Sequence, residues 1–165
     1  MTRKIRSETE LREASEHLYY EIGMFRTLVE LMASGTARDT AINNALLESF
    51  GIHIRTLLGF FYAEKAREDD VIAEDYFPLP TDWYNRRPQM TERLRIAKAR
   101  ADKEIAHLTY KRLEISIDSK MWKFIPIYND MNKVIITFVS SVNGALLCEM
   151  MNSTYERWIT NKDSL

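Results

Sequence analysis

Residues Thr91–Arg112, TERLRIAKARADKEIAHLTYKR, carry two spacings at once. Leu94, Ala97, Ala101, Ile105 and Leu108 recur at steps of three and four, which places them on one side of an α-helix of about 3.6 residues per turn. Arg93, Arg100 and His107 recur at steps of seven and form a second row, with Glu104 between the last two. The stretch therefore reads as one long helix with an inward apolar stripe and a cationic row, and Pro88 lies near its first turn. Such a helix is stable only against other apolar helix faces, so the neighbouring sequence has to supply them.

It does on both sides. Upstream, Ser7 and Glu10 have capping-box spacing, and Leu11, Ala14, Leu18, Ile22, Phe25, Val29 and Met32 keep helical spacing until Ser34-Gly35-Thr36 ends the pattern. A second helix is expected from about Arg38 to Arg67, with a wide apolar face made by Leu46, Phe50, Leu57 and Phe60 beside Leu47, Ile54, Leu58 and Phe61. His53 falls inside the first of these seams. From about 68 to 88 the periodicity stops, and acids, aromatics and Pro78, Pro80 and Pro88 imply a long loop. Tyr76, Phe77, Trp83 and Tyr84 would pin it down or meet a second subunit. Downstream, Leu113, Ile115 and Ile117 alternate briefly, Asp118 or Ser119 can cap a short helix, and Pro126 kinks it or opens the next. Met131, Ile135, Phe138, Val142, Ala145 and Leu146 then mark a last helix running on to Trp158, with Gly144 as a bend. The expected fold is all-α, an antiparallel bundle of four to five helices in one domain, with its core between about residues 7 and 158.

Composition agrees with that class. A chain of 165 residues with a hydrophobic fraction of 45% can bury one continuous core. The formal charge of −1 gives no global attraction to nucleic acid or to an acidic membrane surface, so any basic surface is local. One cysteine, Cys148, excludes an internal disulfide. With no apolar leader near the start and no apolar run approaching the ~20 residues of a membrane span, a cytoplasmic protein without membrane contact is expected.

Local charge is more informative. Between Arg86 and Arg112 nine basic residues (Arg86, Arg87, Arg93, Arg95, Lys98, Arg100, Lys103, Lys111, Arg112) face three acids (Glu92, Asp102, Glu104). A strip of this kind can hold a phosphate backbone without reading bases. Alternatively it is a solvated face matched by the acidic residues Glu68, Asp69, Asp70, Glu74 and Asp75. In the same strip stand His107 and Arg100; as residue types, histidine can move protons near neutrality and arginine can stabilise charge on phosphoryl oxygens, so the pair suits RNA cleavage without a metal or other cofactor. The competing assignment pairs Arg100 with Glu104 one turn on and leaves His107 hydrogen-bonded inside the bundle. Metal sites find less support. Glu104-x-x-His107 has a di-iron spacing but no second copy, and a site from His17, His53 and His107 would need three helices in one register.

Two stretches, ALLESFGIHIRTLLGFFY (Ala45 to Tyr62) with DDVIAEDYF (Asp69 to Phe77), and DKEIAHLTYKR (Asp102 to Arg112), together resemble small bacterial all-α proteins similar to the HEPN superfamily. That resemblance implies a helical bundle, often a homodimer, and in many members a metal-independent endoribonuclease of toxin and defence systems whose signature is an arginine a few residues ahead of a histidine. Here Arg100 and His107 are separated by ADKEIA. It implies Arg100 as phosphate clamp and His107 as proton-transfer group. Arg93, Lys103 and Glu104 beside them, with His53 and Arg55 of the other matching stretch, are candidates for RNA contact. RNA and an antitoxin or other partner protein are the implied partners. The alternative is a non-catalytic interaction or dimerisation module whose matching residues only hold the bundle together.

Overall fold

The computed structural model of the protein describes residues 3–35, 39–105, 110 and 121–160, and all regular structure among them is helical. None of these helices is long and apolar enough to cross a membrane. Helix α1 (Glu8–Ala33) starts where the capping box places it. The Glu10 amide donates to Ser7 Oγ (3.2 Å) and the Ser7 amide donates to the Glu10 carboxylate (2.8 Å), so each side chain satisfies a backbone donor that the first turn leaves open. Hydrogen bonds from the Lys4 ammonium and from Ser7 hold the Glu10 carboxyl down at about 2. Ser7→Ala is expected to cost about 1 kcal/mol, a fall of roughly 2–4 °C in thermal midpoint readable by circular dichroism. The helix ends at Gly35, whose φ of +62° is the left-handed conformation glycine adopts without strain.

Helix α2 (Thr40–Phe61), capped by Asp39, stops six residues short of the expected Arg67. The stop comes from tertiary contacts. The Phe61 carbonyl accepts from the Trp83 indole N–H (2.8 Å) and from Arg87 Nη1 (3.2 Å), and the Tyr62 hydroxyl donates to the Pro88 carbonyl (2.8 Å). Side chains of the 68–88 segment thus occupy the Phe61 carbonyl that another helical turn would have used. The segment at 68–88 is itself ordered rather than structureless. It holds a 3₁₀ turn (Ala73–Tyr76) and helix α3 (Pro80–Arg86), which begins on Pro80. Tyr76 and Trp83 are fully buried, and the Tyr76 hydroxyl donates to the Leu11 carbonyl at 2.9 Å. Of the two roles open to its aromatics, Tyr76, Phe77 and Trp83 pin the segment down, whereas Tyr84 stays exposed.

Helix α4 (Glu92–Arg100) is capped by Thr91 and passes directly into a π-helical turn (Ala101–Ile105). The expected single helix over Thr91–Arg112 is thus interrupted in kind after Arg100, and residues 106–109 and 111–112 lie outside the described part. Pro88 sits just ahead of the Thr91 cap, outside the first turn. Leu94, Ala97 and Ala101 are buried as the stripe requires. Helix α2 approaches the π turn closely at Gly51, where a Cβ would lie 1.8 Å from Ile105 Cδ1.

Helix α5 (Phe124–Ser141) has Pro126 in its first turn, so this proline opens the helix. The last helix does not run on with a bend. It breaks at Val142, makes a 3₁₀ turn (Gly144–Leu146) and restarts as α6 (Glu149–Thr160). Asn143 accepts from the Ala145 amide, and Asn152 donates to the Gly144 and Leu147 carbonyls, so side chains on both sides brace the break. Cys148 lies in this joint, buried, its amide donating to Ser15 Oγ at 2.7 Å. Its role is packing. The short helix expected after Asp118 or Ser119, and the alternation at Leu113, Ile115 and Ile117, fall outside the described residues.

One continuous core joins α1, α2, the 3₁₀ turn at Ala73–Tyr76 and α3 to α6. Its centre is Phe138 of α5. Phe60, Phe61, Tyr76, Phe77 and Trp83 have ring centroids 5.2 to 6.1 Å from that of Phe138, all edge-to-face, an arrangement that aromatic quadrupoles favour.

Candidate functional site

Arg100, the proposed clamp, is embedded. Its Nε donates to Glu104 Oε1 (2.8 Å) and Oε2 (3.0 Å), its Nη2 to Oε2 (2.9 Å) and its Nη1 to the Met121 carbonyl (3.3 Å), while the guanidinium lies 4.4 Å from the centre of the Trp122 ring. The pairing that a one-turn separation permits is made, and it holds α4, the π turn and the residues entering α5 together. His107 lies outside the described residues, as do Lys111 and Arg112.

The other candidates are distributed. Arg93 grips Asp130 of α5 with both arms of its fork (2.9 and 2.9 Å), and the Thr91 hydroxyl donates to the same carboxylate at 2.7 Å. Burial works to raise the Asp130 carboxyl, but Arg93 and Thr91 outweigh it and hold it below its ordinary value. His53 is buried, with Nδ1 2.7 Å from Glu21 Oε2 and an edge-on contact to Tyr20. Arg55 pairs with Asp102, and Lys103 is exposed. His17 lies on the solvent side of α1, and the site of His17, His53 and His107 includes a residue outside the described part. Among the described residues no group of three or more His, Cys, Asp or Glu is placed to hold a metal ion.

Most of the ion pairs and hydrogen bonds of the acidic segment go to the N-terminal residues. Arg3 reaches the Asp70 carbonyl and the Asp75 carboxylate, Arg6 reaches the Glu68 carbonyl, and the Lys4 amide donates to Glu68. Among the described residues Glu74 makes the one ion pair between this segment and the strip, 3.6 Å from Arg87, and Asp69 and Asp70 line a second pocket together with Lys98. Burial pushes the Glu74 carboxyl up.

Part of the strip instead converges on a groove of about 840 Å³ between the end of α2, α3 and α4. Arg87, Arg95 and Lys98 line it together with Tyr62, Tyr84, Asn85 and Gln89. The Arg87 guanidinium lies over both tyrosines, 5.2 Å from the centre of Tyr62 and 4.9 Å from that of Tyr84. Arg95 pairs with Glu92 on the exposed surface of α4, and Lys98 makes no ion pair among the described residues. Two carboxylates share the lining, and that of Asp102 is already engaged by Arg55. Neither Arg93, Arg100, Glu104, Lys103, His53 nor Arg55 lines this groove.

The chain matches no protein-family model, no curated protein and no solved structure. Chemistry alone describes the groove. It offers three cations against two carboxylates, with two phenol rings and two side-chain amides, a set suited to an anion that also carries flat, hydrogen-bonding groups. Tyr62, Asn85 and Gln89 were invisible to sequence reasoning because they come from separate segments and share no period. The available signal was Tyr84 and Arg87, an aromatic and a cation three residues apart in the helix α3 region.

Proposed function

We propose that the chain is a HEPN-like RNA-binding protein, an antiparallel bundle of four to five helices acting as a homodimer, in which the groove of Arg87, Arg95 and Lys98 holds the phosphate backbone. Cleavage without a metal, of the toxin or defence type, is the activity assigned to Arg100 and His107. His107 takes the proton of the ribose 2′-hydroxyl as that oxygen bonds to the adjacent phosphorus, the bond from phosphorus to the 5′-oxygen of the next nucleotide breaks, water protonates the departing oxygen, and Arg100 answers the charge on the phosphoryl oxygens of the resulting cyclic phosphate. The observation that carries the binding half is the convergence of three strip cations on one concavity in a protein of formal charge −1. Arg95→Glu with Lys98→Glu is expected to weaken RNA binding at low salt by more than about tenfold and to flatten the salt dependence, since each lost phosphate contact removes roughly 0.7 from the slope for a single strand. An unchanged slope would remove the groove from the interface. For cleavage, the unaltered protein cuts RNA in chelator and folded His107→Ala does not.

The second reading is a non-catalytic interaction module, and the setting of Arg100 favours it. A guanidinium chelated by Glu104, bonded to the Met121 carbonyl and covered by Trp122 is a structural tie that a phosphate would have to displace. On this reading His107→Ala lowers the melting temperature, no RNA is cut, and any antitoxin or other partner protein contacts a surface away from that tie.

A further inference from the structure

We infer that the groove is built for a single-stranded segment with at least one unpaired base, which stacks on Tyr84 while the adjoining phosphates meet Arg95 and Lys98; this rests on the RNA-binding reading above. Tyr84 is 65% exposed although its ring is ordered by the Arg87 guanidinium beside it. A large, solvent-facing ring held in place is costly to leave bare and inexpensive to stack upon, because its rotamer freedom is already restricted before a ligand arrives. Arg87 is in turn fixed from below by the Phe61 carbonyl, by Glu74 and by Tyr62, so the platform is braced from the core outward. The amides of Asn85 and Gln89 and the Glu64 carboxylate also line the groove and can meet the polar edge of a base. A base inside a duplex is stacked on both faces and cannot lie on Tyr84, so the same cations would hold a duplex without this contribution.

The test uses the full chain with a short fluorescent RNA of mixed sequence, as a single strand and annealed to its complement, at low salt. The single strand is expected to bind more tightly. Tyr84→Ala should weaken it roughly 5- to 100-fold, with the salt slope and the melting temperature unchanged and duplex binding unaltered, whereas Tyr84→Phe, which keeps the ring, should restore it. Equal affinity for both forms, unmoved by Tyr84→Ala, overturns this inference and leaves the RNA-binding reading standing. Loss of affinity in Tyr84→Phe equal to that in Tyr84→Ala overturns it as well, since the ring would then not be the contact. No binding of either form overturns both.

Discussion

Phe138→Ala should cost about 4 kcal/mol and lower the melting temperature by roughly 10 °C. The side chain is wholly buried, and removing it opens a cavity bounded by Phe60, Phe61, Tyr76, Phe77 and Trp83, each of which also loses an edge or face contact. That is a large share of the 5–15 kcal/mol typical of natural domains. The effect should reach beyond α5, because the ring cluster is what holds residues 73–86 to α2. Limited proteolysis of the variant is therefore expected to cut first between 68 and 88, the segment whose loop tips lose their anchor. A cost below 1 kcal/mol in chemical denaturation would show that the segment is held by something other than these rings.

The second large effect concerns acid. Asp130→Asn should cost about 2 kcal/mol at neutral pH, since it takes the charge from a buried acceptor that receives three hydrogen bonds. The pH dependence is the sharper readout. The folded-state affinity of Asp130 for its proton is depressed, so its stabilisation is fully present above the unfolded carboxylate value and is lost as pH falls through the folded one. Urea melts of the unaltered protein should show this acid limb, and Asp130→Asn should lack its share of it. In Arg93→Ala the main opposing cation is gone, burial acts against only the Thr91 hydrogen bond and the weaker field of Lys133, and the shift should reverse. Stability contributed by Asp130 would then fall as pH rises. Identical acid limbs in all three proteins would show that the Arg93–Asp130 clamp is not coupled to folding.

What could be read from the sequence was whatever is local and periodic. The Ser7/Glu10 cap, the buried face of α1, the seams of α2 and the Leu94/Ala97/Ala101 stripe are encoded within one or two turns. So is the Arg100–Glu104 pair. The end of α2 was not legible because its stop signal is a carbonyl capped by Trp83 and Arg87, more than 20 residues away. Helix α3 was missed for a different reason: seven residues are too few for a period, and Pro80 read as loop before it could be recognised as a first helical residue. Gly144 was marked as a weak point, yet the choice between bend and break was made by Asn143 and Asn152. The groove escaped because it is assembled from the ends of three helices, and only its charges, not its rings and amides, left a trace in composition.

The close approach at Gly51 constrains which sequences can share this architecture. Helix α2 meets the π turn so closely that a methyl group at position 51 would displace the tip of one side chain, Ile105 Cδ1. A lineage that acquires alanine or serine at position 51 can therefore survive by trimming position 105 to valine or alanine, so the two sites should drift as a pair. That coupled drift is a fingerprint by which distant kin could be recognised where overall identity has decayed.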